Sequence, residues 1–370
     1  MKIIFIGSRD IHLLGGIENY MFNLTRCLAR MGHDCTVYCE SDHNEVREEN
    51  GVRLIYMRGP KSNLICKPWV GLKATLRTLL REKGVSLIHY NAWPPSLWSP
   101  LATVGGVPSL MMGHGLEWQR SKYSPPQQRV MKLMERITAH TNRHLLMCSQ
   151  AQTDYFRERY GREAVTMPTA VNLPPAEAPA SDILERFGIV PGRYFLFLAR
   201  IVQDKNPDYL IRGFQAAAHE GFQLVIAGSN PADTQYVESL HALAAGCPRI
   251  IFTGAVYGAD KDALLRSAYA FCLPSTIEGL SIGLLEEMSY RLPVIASDIA
   301  ANREVLQDDT AFWVRPESDE DIRQAVEHCI ASPQELEAQR EANFARVEAQ
   351  YVWEKVARRY EAYIKTIAKK

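Results

Sequence analysis

Short apolar runs, each ending in a glycine or polar residue and followed by apolar residues at helical spacing, recur along nearly the whole chain and leave few choices of fold. Residues Lys2 to Gly7 make the first run, and Tyr20, Leu24, Cys27, Leu28 and Met31 then share one face of a helix over residues 17–31. The runs CTVYCE (35–40), VRLIYM (52–57), VSLIHYN (85–91), VPSLMMGHG (107–115) and LLMCS (145–149) continue the series, with helices expected over 70–82 and from about Gln127 to His144. Strands alternating with helices imply a parallel sheet covered on both faces.

The segment TMPTAVNLPPAEAPAS then gains proline and loses periodicity, which marks a linker near Pro168 to Ser181. A second series follows, with strands YFLFLA (194–199), FQLVIAG (222–228), RIIFTG (249–254), AYAFCLP (268–274) and LPVIAS (292–297). Its helices contain residues 209–218, 235–244, 262–267 and 281–290, and a long charged helix is expected from Gln334 onward. The sequence therefore predicts an α/β protein of two Rossmann-like, doubly wound domains facing a central cleft, divided at 1–172 and 173–350, with a terminal segment 351–370 whose aromatic residues pack on another element. At 370 residues and 46% hydrophobic composition, each half can bury its own core.

Charge is balanced, 42 basic against 42 acidic residues, so the total points to no nucleic acid. Its distribution is uneven, with 22 Lys and Arg against 14 Asp and Glu through Ala170. Either a basic first half meets an anionic partner, or the charges simply solvate helix faces. The eight cysteines show no C-x-x-C pair and no zinc spacing, as expected of buried thiols in a reducing compartment. No apolar run of about 18 residues is present and the amino terminus lacks a signal-peptide pattern, so the expectation is a cytoplasmic protein with at most peripheral contact at the inner face of the cell membrane.

Three motifs carry chemistry. Gly15-Gly16 lies between the first strand and its helix, where backbone N–H groups and the helix dipole suit a phosphate or sugar, although two glycines there also make an ordinary turn. Arg200 and Lys205 follow the strand YFLFLA, a place from which two cations can neutralise a departing diphosphate. A salt bridge with Asp204 or Asp208 is the alternative. The segment STIEGLSIGLLE places Glu278 in a loop and Glu286 a little over two turns later, near the same side of a helix. One carboxylate can then hold sugar hydroxyls and the other ribose hydroxyls.

Taken in order, Gly15-Gly16, Arg200-x4-Lys205 and Glu278-x7-Glu286 resemble glycosyltransferase family 4, of the retaining GT-B type, over nearly the whole chain. That resemblance implies that Arg200 and Lys205 grip the donor diphosphate, that Glu286 holds the ribose, and that Glu278 with the amides of Gly279, Leu280 and Ser281 holds the transferred sugar. It also implies that His114 in MMGHGLEW stands beside the donor sugar, that Gly254, Val256 and Tyr257 border the base, and that the last helix crosses back to the first domain. His114, Arg200, Lys205 and Glu278 are thus the expected catalytic residues. Two departures are visible: EGLSIG where many members have EGFG or EGFP, and Asn206-Pro207 after Lys205 where glycine is common. The opening 36 or so residues are similar to bacterial polysaccharide rhamnosyltransferases.

The expected activity is transfer of a hexose or deoxyhexose, first of all rhamnose from dTDP-rhamnose, to a cell-envelope glycan or polyprenyl-diphosphate-linked acceptor such as an O-antigen or capsule precursor. Mannosyl, glucosyl or N-acetylhexosaminyl transfer from GDP- or UDP-sugars is the alternative, and a non-catalytic sugar-nucleotide-binding subunit or an epimerase represents a different class. No cofactor and no metal are expected. One Asp-x-Asp triplet, Asp319-Glu320-Asp321, opens a helix whose dipole favours acids. His140 and His144 could share a helix face, but a third zinc ligand is missing. Basic residues mixed with apolar ones at 61–83, and a second cluster of Arg120, Lys122, Arg129, Lys132 and Arg136, suit an anionic bilayer as well as ordinary helix faces.

Overall fold

The computed structural model describes residues 1–11, 15–119, 124–219 and 221–368. Arg120 and Lys122 of the second basic cluster lie outside the described residues. The chain divides into two compact units, one formed by residues 1–170 together with 353–370 and the other by residues 171–352.

Unit 1 holds an eight-stranded sheet: β1 (Lys2–Ser8), β2 (Asp34–Ser41), β3 (Glu45–Glu49), β4 (Val52–Arg58), β5 (Val85–Asn91), β6 (Ser109–Gly113), β7 (His144–Met147) and β8 (Val165–Thr166), in the order β3-β4-β2-β1-β5-β6-β7-β8. All neighbours run parallel except β3, which pairs antiparallel with β4. The sequence reading lacked β3, because its charged EVREE has no apolar face. The signal it did carry is Asn50-Gly51, whose two positive φ angles, 50° and 74°, turn a tight hairpin.

The apolar pattern of β1, β2, β4 and β5 explains their place in the sheet: Ile4, Ile6, Tyr38, Ile55, Ile88 and Tyr90 form one cluster with Val70 and Ala74 of the helix Asn63–Arg81. That helix starts seven residues before the expected Val70 and carries Pro68 inside it. Trp93, Met111, Met131, Leu145, Met147 and Phe156 pack under the other end of the sheet. His140 lies on the helix Pro125–Thr141 whereas His144 begins β7, so the two do not share a helix face.

Unit 2 holds six parallel strands, β9 (Tyr194–Leu198), β10 (Gln223–Ala227), β11 (Ile250–Gly254), β12 (Ala270–Leu273), β13 (Val294–Ser297) and β14 (Phe312–Val314), in the order β11-β10-β9-β12-β13-β14. Their runs are apolar throughout because helices cover both faces. Phe195, Phe197, Leu224, Ile226 and Ile295 meet Leu210, Ile211 and Phe214 of the helix Pro207–Ala216. The long terminal helix of the sequence reading is two helices, Pro333–Gln350 and Trp353–Ile367, broken at Tyr351-Val352. The second belongs to unit 1, where Trp353, Val356, Ala357, Tyr360 and Ile364 are buried. At the break, Val171 N donates to Tyr351 O at 2.8 Å, so the two segments that join the units lie side by side.

Candidate functional site

In a doubly wound sheet, ligands bind at the carboxyl ends of the strands where the order reverses. In unit 2 that switch point falls between β9 and β12, which pair through Phe195 with Ala270 and Leu196 with Phe271. The loop leaving β9 carries Arg200 and Lys205, and the loop leaving β12 carries Thr276 and Glu278. Lys205 Nζ donates to Glu278 Oε1, a pair of which 20% and 10% of the side-chain surfaces stay exposed. Arg200 is exposed and, among the described residues, has no ion pair. The cation and carboxylate motifs, 73 residues apart in sequence, therefore meet directly.

Asn206 holds the two loops together. Its φ of +51° lies in the left-handed region, where asparagine is better tolerated than most residues. Its buried Nδ2 donates to Pro274 O at 2.9 Å and to Thr276 Oγ1 at 2.7 Å, while Thr276 N donates to Asp204 O at 2.9 Å. The departure from glycine noted in the sequence thus keeps the backbone conformation and adds bonds that glycine lacks.

Glu286 stands apart from that pair. It accepts from Lys261 Nζ at 2.5 Å, so each motif carboxylate faces its own lysine. Lys261, on the helix Gly258–Ser267, is a partner of a motif carboxylate that sequence reasoning missed, since it sits in a helix without a motif. Gly279, Leu280 and Ser281 lead into the positive end of the helix Ile282–Ser289, where Ser281 Oγ caps the first turn by accepting from Leu284 N at 3.2 Å. Next to Glu286, Glu287 is fully buried, and among the described residues its carboxyl oxygens meet no side-chain hydrogen-bond partner. Burial, aided by the neighbouring Glu286, pushes its pKa well above the ordinary value.

At the end of β10, a Cβ on Gly228 would lie 1.9 Å from Ala199 O, so only glycine admits the strand beside the Arg200 loop. Gly228 N donates to Gly254 O at 2.8 Å, which draws in the turn after β11. Gly254 takes φ +72°, Val256 is buried and Tyr257 is 57% exposed. An exposed ring beside this crevice is free to stack on a planar group.

In unit 1 the order reverses between β1 and β5. Gly15 has extended backbone, φ −172°, and caps the helix Gly16–Arg30. A Cβ there would lie 2.1 Å from Glu18 Oε2. Glycine at 15 thus lets the buried Glu18 carboxylate fold back over its own helix terminus, where Arg9 Nε donates to it at 2.9 Å. The helix end that suits a phosphate already carries a negative group.

His114 follows β6 directly. Gly113 passes between Met147 and Trp93 with no room for a Cβ, the nearest atoms lying at 2.7 and 2.9 Å. The His114 ring meets Tyr20 edge-on at 4.8 Å, and Nε2 lies 3.0 Å from Asn91 Oδ1. Asn91 ends β5, in register with Met112, and is followed by Ala92 at φ +67°, a conformation strained for a residue with a Cβ. Behind it the buried His89 shares a proton with the Tyr360 hydroxyl at 2.6 Å. Burial, then the adjacent His114, lowers the pKa of His89 to about 3, so the ring is neutral. The sequence reads Tyr20 and Tyr360 as packing residues only and leaves Asn91 and His89 inside an apolar strand, because each lies in an apolar strand or helix.

The Asp319 triplet is occupied otherwise. Arg315 makes paired bonds to Asp321 at 2.7 and 2.8 Å, and Arg323 donates to Glu320 at 2.6 Å.

Comparison with known proteins follows the same division. Residues 14–173 match the family model Glycosyltransferase Family 4, and residues 192–332 match Glycosyl transferases group 1. The chain belongs to the family 4 glycosyltransferases. This glycosyltransferase is 22% identical over 391 aligned residues to a phosphatidylinositol N-acetylglucosaminyltransferase subunit of Arabidopsis thaliana, covering 98% of the chain and 81% of the relative. It is 25% identical to the alpha-D-kanosaminyltransferase of Streptomyces kanamyceticus, covering 70% and 71%. Among solved structures, sucrose-phosphate synthase from Thermosynechococcus elongatus aligns with a TM-score of 0.84 at 19% identity, covering 99% of this glycosyltransferase and 98% of that chain. Anabaena HepE in complex with UDP and glucose aligns at 0.81 and 15%, covering 99% and 100%. The fold is that of GT-B glycosyltransferases. None of these names singles out a rhamnosyl donor.

Proposed function

We propose that this glycosyltransferase moves a hexose or deoxyhexose from a nucleotide diphosphate sugar with retention of configuration and without a metal ion. The observation that carries the reading is the convergence of Arg200, Lys205 and Glu278 at the switch point of unit 2, with Glu286 and Lys261 one helix away. A diphosphate arriving there meets Lys205, whose positive charge passes from Glu278 to the phosphate, and Arg200, whose guanidinium is exposed. Glu278, released, accepts from sugar hydroxyls, and the amides at Gly279, Leu280 and Ser281 add the partial charge of a helix start. Glu286 accepts from ribose hydroxyls, and Tyr257 covers the base. In a front-face attack the departing phosphate takes the acceptor proton, which requires cations on that phosphate and no carboxylate base.

The acceptor is a cell-envelope glycan carried on a polyprenyl diphosphate, reached at an anionic membrane surface. Unit 1 supports this with 28 Lys and Arg against 16 Asp and Glu. On the helix Asn63–Arg81 the exposed Ile65, Trp69, Leu76 and Leu80 fall on one stripe beside Lys73 and Arg77, and Val130, Leu133 and Ile137 do the same beside Arg129, Lys132 and Arg136. No helix among the described residues is long and apolar enough to cross a membrane.

The test is thermal stabilisation by dTDP-rhamnose, UDP-glucose, UDP-N-acetylglucosamine and GDP-mannose, with and without EDTA. A shift with one donor, unchanged by EDTA, is expected, and dTDP-rhamnose is the first candidate. Lys205→Ala should abolish turnover at unchanged melting temperature without donor; full activity in that variant removes the assignment. Failure of anionic vesicles to retain the protein at low salt removes the membrane.

A further inference from the structure

The loop that carries Glu278 is tied on both flanks. Toward β9, Asn206 holds Pro274 O and Thr276 Oγ1, and Asp204 O accepts from Thr276 N. Toward β13, Leu273 stands in register with Ala296, so Ser297 leaves the sheet beside Pro274-Ser275. There Ser297 Oγ donates to Ser275 O at 2.5 Å, and Asn302 Nδ2 donates to Ser297 O at 2.9 Å and to Ser297 Oγ at 3.1 Å. Ser275, Ser297 and Asn302 are all fully buried.

The direction of these bonds follows from the chemistry of the atoms. A carbonyl oxygen only accepts, so the one hydroxyl proton of Ser297 points to Ser275 and the hydroxyl oxygen is left to accept. Asn302 thus faces two acceptors, Ser297 O and Oγ, and meets both with its NH2 group. A chain of donors runs one way, from Asn302 through Ser297 to Ser275, and each bond polarises the next in low dielectric.

We infer that Ser297 and Asn302 are positioning residues for the transferred sugar. They act through Glu278 and the amides that follow it, a role that rests on the reading of Glu278 as the acceptor of sugar hydroxyls. When a diphosphate draws Lys205 away, Glu278 loses its partner, and a slack loop would let the carboxylate follow the lysine or turn to water. With Pro274, Ser275 and Thr276 each bonded, the backbone stays in place and the side chain alone changes partner. Glu286 is placed by other means, since it rides on the helix Ile282–Ser289 opposite Lys261. The relay therefore bears on the sugar and leaves the nucleotide alone.

The experiment is calorimetric titration of the full chain with dTDP and dTDP-rhamnose, UDP and UDP-glucose, and GDP and GDP-mannose, carried forward with the pair that the wild type binds. Ser297→Ala leaves Ser275 O buried without its donor, and its affinity for the nucleotide sugar should fall about tenfold, the worth of one hydrogen bond, while that for the nucleoside diphosphate stays within about twofold. Ser297→Thr keeps the hydroxyl and should recover most of the loss. Asn302→Leu should weaken the sugar through Ser297, so the double variant should bind it no worse than Ser297→Ala alone. Hydrogen exchange of the unliganded protein should show faster exchange in Ser297→Ala over residues 274–281, with the helix Pro207–Ala216 unchanged. Unchanged exchange over 274–281, or an equal loss of affinity for nucleoside diphosphate and nucleotide sugar, overturns the inference. Glu278→Gln separates it from the reading beneath it. If that variant binds the nucleotide sugar as tightly as wild type while residues 274–281 still loosen in Ser297→Ala, the relay stands as the hold on the loop and the role given to Glu278 falls.

Discussion

The two units share a strand order, three-two-one-four-five-six about the switch point, and differ in nearly everything that surrounds it. Unit 1 carries 28 basic and 16 acidic residues, a net charge of +12, and unit 2 carries 14 and 26, a net charge of −12. Unit 2 lines its switch point with ion pairs, Lys205 with Glu278 and Lys261 with Glu286, in loops held by backbone and amide bonds. Unit 1 keeps one ion pair there, Arg9 with Glu18, and fills the rest of the corresponding region with rings and amides, Tyr20, His89, Asn91 and His114, braced by a helix that arrives after unit 2. One scaffold therefore serves two chemistries. The version richer in ion pairs holds its loops by charge, and the other holds an imidazole by hydrogen-bond complementarity, because an unpaired polar group is costly in low dielectric.

The largest test of this contrast is Tyr360→Ala. It removes a fully buried ring and the hydroxyl partner of His89 at once, and should cost unit 1 about 3–5 kcal/mol, with unit 2 unaffected. Hydrogen exchange followed by peptide should show lost protection across β1, β5 and the helix Gly16–Arg30 only; equal loss in unit 2 peptides would show that the units do not unfold separately.

Two opposite pH effects sharpen the comparison next. His89 has its folded pKa lowered to about 3 against the ordinary 6.5, so the unfolded state takes up a proton that the folded state refuses, and stability is lost as pH falls below 6.5. His89→Gln removes that term, and its melting temperature relative to wild type should rise as pH drops from 7 to 4. Glu287 has the reverse sign. Its folded pKa lies well above the ordinary 4.5, so the unfolded state ionises first and stability is lost as pH rises above 4.5. Glu287→Gln should therefore gain on wild type as pH rises from 5 to 9. Parallel pH profiles for the two variants would end the contrast.

The smallest expected effect is at Asn206. Asn206→Gly keeps the left-handed backbone and loses two amide bonds, for about 1–2 kcal/mol, while Asn206→Ala should cost about 1 kcal/mol more through backbone strain. Chemical denaturation measures both. An equal cost would mean that the bonds, and not the φ angle, hold the loops.

Much of this was legible in the residues. Alternating apolar strands and amphipathic helices gave the two sheets, since a strand covered on both faces has no polar positions to confuse it. The charged motifs of unit 2 were legible because Arg200, Lys205, Glu278 and Glu286 are charges placed where strands end. What stayed hidden lies in pairings that spacing does not encode: Lys261 reaches Glu286 from a neighbouring helix, and Asn206 spans about 70 residues to Pro274 and Thr276. Strand β3 escaped because its residues are charged on both faces and only its turn is diagnostic. The break at Tyr351-Val352 escaped because a helical period runs on either side of it. Asn91 and His89 escaped for a deeper reason, that a buried polar residue in an apolar strand looks like filler until its partners are known.

The discontinuity of unit 1 also has a consequence for its synthesis. The seat of Trp353 and Tyr360 is built from the first 91 residues, yet the helix that fills it is made only after the 182 residues of unit 2. His89 and Tyr360 stand 271 residues apart, so at about 5–20 residues per second Tyr20 and His89 wait on the ribosome for roughly 15–55 s without their partners. Unit 2 can fold as soon as it emerges, whereas unit 1, begun first, is finished last.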